Sequence, residues 1–217
     1  MNAIIDFLEG RVSVDEFWNE WNAKPELQQW LDRIADLKSD LPDEWLEDKA
    51  YCGIRKAIHN HYHGSASAFL NADPFPDSKV PKCLSVSAKY NALAAVVKLA
   101  YPDIKTISTY EEEAAFYYGS VSDCYDGEEA TEYIENLLSQ FPPSLGKTKR
   151  VKSAKAALKN AFHVEGRNYP HWVQESEWPM GKNSPMKFER QEKHGELVKF
   201  YFVDVDTGEE KVVEQLY

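Results

Sequence analysis

The chain is poor in cysteine. Its 217 residues hold three, Cys52, Cys83 and Cys124, widely spaced, odd in number and without a CxxC pair. A disulfide framework is therefore not expected, and a reducing, cytoplasmic setting is. Long apolar runs are missing too. The most apolar stretch, ALAAVVKLAY at 92–101, is too short to cross a bilayer and contains Lys98. The opening MNAIIDFLEGR meets Asp6 and Glu9 early, with no basic stretch ahead of an apolar run, so no signal peptide is expected. Positive charge is in deficit: 25 Lys and Arg stand against 36 Asp and Glu, a net of −11. That balance argues against nucleic acid or an anionic membrane as the main partner.

Familiar catalytic signatures are absent as well. There is no GxSxG and no GxGxxG. SLGKTKR at 144–150 resembles the end of a phosphate-binding loop, but the first glycine of that pattern is replaced by Phe141. Pro142 and Pro143 follow, and they lack the N–H groups that such a loop aims at phosphate.

What is present reads first as helices. SVDE at 13–16 is a capping box leading into Val14, Phe17, Trp18 and Trp21. Pro25 suits the first turn of a second helix with Leu27, Trp30, Leu31 and Ile34 on its inner face. LPDEW at 41–45 opens a third, running through Ile54 and Ile58 towards Tyr62, and the proline-rich 71–82 reads as a loop. Tyr90, Leu93, Val97 and Tyr101 recur at helical spacing up to Pro102. STYE at 108–111 predicts a cap for a helix with Ala115, Tyr118 and Val121 inward. DGEE at 126–129 predicts one for Tyr133, Ile134 and Leu137. A helix over 147–162 has Val151, Ala154, Leu158 and Phe162 on one face.

After Gly166 the pattern changes. Residues 167–185 are rich in aromatics, prolines and turn formers; MKFERQ, LVKFYFVDV and KVVEQLY then alternate with the short turns KHGE and DTGE. This predicts a three-stranded antiparallel meander, its nearly all-apolar middle strand covered on both faces. The fold class expected is α+β: an N-terminal multi-helix lobe, 1–165, packed on a small C-terminal sheet, with 166–217 as linker and meander. So small a sheet cannot stand alone and should fold with the helices as one unit.

Charge is unevenly placed. Residues 1–143 carry 25 acidic and 12 basic side chains, and 144–167 carry 7 basic and 1 acidic. The densest acidic run, 110–129, holds Glu111, Glu112, Glu113, Asp123, Asp126, Glu128 and Glu129. These are the candidate contacts for a basic protein partner, since charge complementarity speeds association and selects the partner; a merely solvated face is the plain alternative. The basic helix, with Lys147, Lys149, Arg150, Lys152, Lys155 and Lys159, offers the rival reading of an RNA-associated protein. A third reading is a metal-dependent hydrolase built on His59, His61 and His63 in KAIHNHYHG. His59 and His63 have the HExxH spacing, but Asn60 stands where the glutamate base belongs, and no further ligand is marked. No catalytic residue, metal or cofactor is expected.

The last fifty residues carry a resemblance. Pro170, Trp172 and Gln174, then EWP at 177–179, SPMKFERQ at 184–191 and the closing DTGEEKVVEQLY resemble the ends of bacterial immunity proteins encoded beside polymorphic or contact-dependent toxins. The resemblance implies a protein that binds a cognate toxin, such as a nuclease, and blocks it without chemistry of its own. In this reading Trp172, Trp178 and Met186 plug the sheet. Pro170, Pro179 and Pro185 fix the path of the chain, and Gln174, Gln191 and Gln215 satisfy backbone groups in the turns.

Overall fold

Capping chemistry sets where the first helices begin. In α1 (Ala3–Leu8) the Asn2 side chain accepts the N–H of Ile4. In α2 (Val14–Ala23) the expected box is complete: Ser13 Oγ accepts from Glu16 N at 3.2 Å, and Glu16 Oε2 accepts from Ser13 N at 2.8 Å. The Ser13 bonds hold the Glu16 carboxyl below its usual range. α3 (Pro25–Asp36) starts on its proline and buries Leu27, Leu31 and Ile34. The computed structural model describes residues 2–36, 81–125 and 127–217. The helix expected over 41–62, the loop before Pro81, His59, His61, His63 and Asp126 lie outside the described residues.

Among these residues, 2–36 and 82–113 form one compact unit. Its core is aromatic. Phe7 stacks on Phe17 with centroids 4.4 Å apart, and Tyr90 of α4 (Lys82–Ala100) meets Phe7 edge-on at 5.4 Å. The Tyr90 hydroxyl donates to the Leu8 carbonyl and accepts the Ile107 N–H, so a long-range polar pair is satisfied inside an apolar core. Tyr101 lies beyond the end of α4, half-exposed, stacked on Trp30 at 5.9 Å.

Pro81 and residues 114–217 form the second unit. The boundary falls inside α5 (Thr109–Ser120), so the last three helices are divided from the earlier ones partway along that helix. The buried face of α5 differs from the expected one. Ala114, Phe116, Tyr117 and Ser120 are inside, while Ala115 is exposed and Tyr118 is 70% exposed. Three aromatics in a row leave the phase of a helix open, and the competing faces differ by a single residue of rotation. Ser108 stands just before α5, at the expected cap position, and its hydroxyl donates to Glu112 at 2.5 Å. In α6 (Thr131–Leu138) Ile134 is buried as expected, with Thr131 and Leu138, whereas the expected Tyr133 and Leu137 are only half-buried. A 3-10 turn at Glu128–Ala130 precedes it, and Gly127 caps that turn without a side chain.

α7 (Lys147–Ala161) buries Ala154 and Leu158 as expected, with Phe162 just beyond its end. The sheet is the expected meander, β1 (Lys187–His194), β2 (Leu197–Val203) and β3 (Glu210–Leu216), antiparallel throughout and in the order β1–β2–β3. β2 is central, but it is not covered on both faces. Val198, Phe200 and Phe202 are buried, whereas Leu197, Lys199, Tyr201 and Val203 are only half-buried. The sheet packs on the helices through aromatic rings: Phe162 meets Trp178 at 5.1 Å, and Trp178 meets Phe202 at 5.5 Å. The fold is therefore α+β, helices first and the antiparallel sheet last. No helix among the described residues is long and apolar enough to cross a membrane.

Candidate functional site

Residues 168–186 form a strap across the buried face of the sheet. It starts at β1, where Asn168 Nδ2 donates to the Phe188 carbonyl and Gln191 Oε1 accepts the His171 N–H. Pro170 is buried there. Trp172 lies on the middle of the sheet, 4.5 Å from Phe200, and its indole N–H donates to the Cys124 carbonyl. The strap reaches β3 at Gln215, which is 2% exposed. Gln215 Oε1 accepts from Val173 N and Gln174 N, while its Nε2 donates to the Glu175 carbonyl and to Glu177 Oε1. Gln174 Nε2 in turn donates to the Leu216 carbonyl. The three glutamines do satisfy backbone groups, as expected, but along the strap rather than in the strand turns.

Further on, Trp178 is fully buried, Pro179 is buried beside it, and the Trp178 N–H donates to the Met186 carbonyl at 2.8 Å. Asp204, after β2, closes the strap's far end by accepting from Lys182 N and Asp206 N, both at 2.9 Å. Those backbone donors hold its carboxyl below the usual range. Gly181 is required there, because a Cβ would lie 2.8 Å from the Asp204 carboxyl carbon.

Beside this pinned scaffold runs an open groove of about 1140 Å³. It is bounded by the 127–131 turn, by Gln174–Glu177 of the strap and by residues 211–214 of β3. Gly127 brings the turn against the strap, where a Cβ would be only 2.4 Å from the Ser176 carbonyl oxygen. Six acidic residues line the groove, Asp123, Glu128, Glu129, Glu175, Glu177 and Glu214, all exposed; the Glu214 carboxylate is paired across the strands with Lys199 at 2.5 Å. Lys211 is the one cation of the lining among the described residues, and it pairs with Glu129 at 3.2 Å.

Three expected acidic contacts, Asp123, Glu128 and Glu129, thus meet in one place. Glu111, Glu112 and Glu113 fall in the first unit, at the start of α5, and are not part of the groove. Glu175, Glu177 and Glu214 were not singled out in the sequence reading. Glu214 lies far along the chain from Glu175 and Glu177, and no local signal marks any of the three.

The basic helix keeps its five lysines exposed. Arg150, however, is 8% exposed: its Nε donates to the Phe141 carbonyl at 2.7 Å, and its guanidinium lies 3.6 Å from the centre of the Phe116 ring. It is a structural residue and not a phosphate contact. A second cavity of about 550 Å³ is lined in part by Cys124, Tyr125, Lys155 and Lys159. Burial raises the Cys124 thiol above its usual value and pushes the Tyr125 phenol up to about 12, so neither is activated as a nucleophile or base. Among the described residues no group of three His, Cys, Asp or Glu side chains is arranged to hold a metal ion.

No protein-family model, curated protein or solved structure matches the chain.

Proposed function

We propose that the protein is an immunity-type inhibitor, which binds the toxin encoded beside it and blocks that toxin stoichiometrically. The observation that carries this reading is the groove, lined by six acidic residues and one lysine on a scaffold fixed by buried glutamine and tryptophan bonds. An open, strongly acidic groove is a poor host for a small apolar ligand, which needs a largely apolar enclosure. It suits a basic protein surface, such as the phosphate-binding groove of a nuclease, whose cations the carboxylates would occupy in place of the nucleic acid. The resemblance of the last fifty residues to immunity proteins points the same way.

Mixing the purified protein with the product of the adjacent gene tests the reading. A 1:1 complex that weakens with salt, and rescue of cells expressing the toxin, are expected. No complex and no rescue would overturn it.

A further inference from the structure

The outer edge of β3 carries backbone hydrogen-bonding groups without a partner among the described residues. Tyr217 N donates to the Glu196 carbonyl at 2.9 Å, and Asp204 N donates to the Glu209 carbonyl at 2.8 Å. With Phe200 opposite Val213 and Val198 opposite Gln215, these bonds set the phase of the ladder. Residues 211, 213 and 215 turn their N–H and C=O towards β2, so 212, 214 and 216 turn theirs outward. The outward carbonyl of Leu216 is taken by Gln174. The N–H and C=O of Val212 and Glu214 have no protein partner among the described residues, and both residues line the acidic groove.

We infer that this edge, resting on the reading of the chain as a protein-binding molecule, accepts a basic extended segment of the partner as a fourth strand. Strand addition supplies main-chain hydrogen bonds for affinity, and alternate side chains supply the choice of partner. Charge selects that occupant. A strand beside β3 would lie about 4.8 Å away, within the groove. On the strap's side its side chains would face Glu128 and Glu175, with Lys211 already paired to Glu129, and with Glu214, on the other face of β3, paired to Lys199. Lysines or arginines at alternate positions satisfy those carboxylates. A second copy of this chain does not, because its own edge would bring Glu210 and Glu214 into the same acidic groove.

The probe is the synthetic peptide acetyl-KVKVKV-amide, titrated into the full-length protein while amide hydrogen exchange is followed by NMR. The peptide should slow exchange at Val212 and Glu214 by about tenfold or more and leave the amides of 211 and 213, already bonded to β2, unchanged. Acetyl-EVEVEV-amide should do nothing. V212P removes an outward N–H, which an edge strand tolerates; it should weaken KVKVKV binding about tenfold with the fold intact. Unaltered exchange at Val212 and Glu214 at millimolar KVKVKV overturns the inference without recourse to any variant, as does equal binding by V212P. If V212P binds the neighbouring gene product as tightly as the native chain, the edge assignment falls while the immunity reading stands. If the native chain binds no such product, the immunity reading falls, and the peptide exchange still decides the edge.

Discussion

The side-chain oxygen of Gln215 in β3 accepts the backbone N–H of Val173 at 3.0 Å, and that of Gln174 at 3.1 Å. One buried amide thereby stands in for a strand partner and joins the strap to the sheet. Replacing Gln215 with leucine keeps the volume but strands two N–H donors and the Glu175 carbonyl. We expect a loss of about 2–4 kcal/mol in urea denaturation, since each buried unpaired group costs its desolvation. Faster exchange at Val173 and Gln174 should accompany it, and an unchanged midpoint would refute the anchoring role.

Gly181 and Asp204 form a second anchor, with the carboxyl carbon 2.8 Å from where a Cβ would sit. Gly181→Ala must displace a carboxylate held by two backbone donors, and we expect it to cost about 1–3 kcal/mol. In an Asp204→Ala background the same change should cost much less. A double-mutant cycle reads the difference directly; additive effects would show that the contact is not the cause.

Asp204 also predicts a pH dependence. Its carboxyl is held below the ordinary value of 3.8 by the N–H groups of Lys182 and Asp206. A lowered folded-state value means that the unfolded chain takes up the proton first on acidification. The stabilisation is thus complete well above pH 3.8 and is lost as the pH falls from there through the lower folded value. Thermal unfolding of the Asp204→Asn variant should follow a shallower pH slope than the native protein below about pH 4 and a parallel one above about pH 6. Identical slopes would exclude the bonding that the geometry describes.

Much of this architecture was legible in the sequence, and the legible parts are local. The Ser13–Glu16 box spans three residues, and the meander follows from period-two patterning and short glycine turns such as Gly195, whose φ is 65°. Gln215 could be read as a backbone satisfier because a glutamine among strand residues needs partners. Three kinds of feature were hidden. The phase of α5 was ambiguous because Phe116, Tyr117 and Tyr118 are contiguous. The one-sided cover of β2 depends on which tertiary face the strap occupies, and apolar Leu197 and Val203 mask it. The groove joins Asp123 and Glu128 to Glu175 and Glu214 through folding alone. In a chain this acidic, no local signal separates those carboxylates from any others.

In the first unit the Tyr90 hydroxyl bridges the Leu8 carbonyl and the Ile107 N–H. Burial raises that phenol's pKa, so it stays a neutral donor across the physiological range. Tyr90→Phe leaves both partners unpaired in the core, and we expect a cost of about 1–3 kcal/mol in denaturant melts. A loss below about 0.5 kcal/mol would mean that water or a shift of the backbone satisfies both groups.

The groove makes the functional prediction. Asp123, Glu128 and Glu175 are exposed and line it, so reversing their charge should barely touch stability, within about 0.5 kcal/mol. The combined Glu128→Lys and Glu175→Lys variant should instead slow association with a basic partner, and the effect should shrink as salt rises from low to physiological levels, because the attraction acts over a Debye length of about 8–10 Å. Reversal of Glu111 and Glu112, which lie outside the groove, is the control and should change the association rate less. Stopped-flow mixing with the adjacent gene product at two ionic strengths separates the cases. Equal slowing by both pairs would locate the attraction in the net charge of the chain and leave the groove without a special part in it.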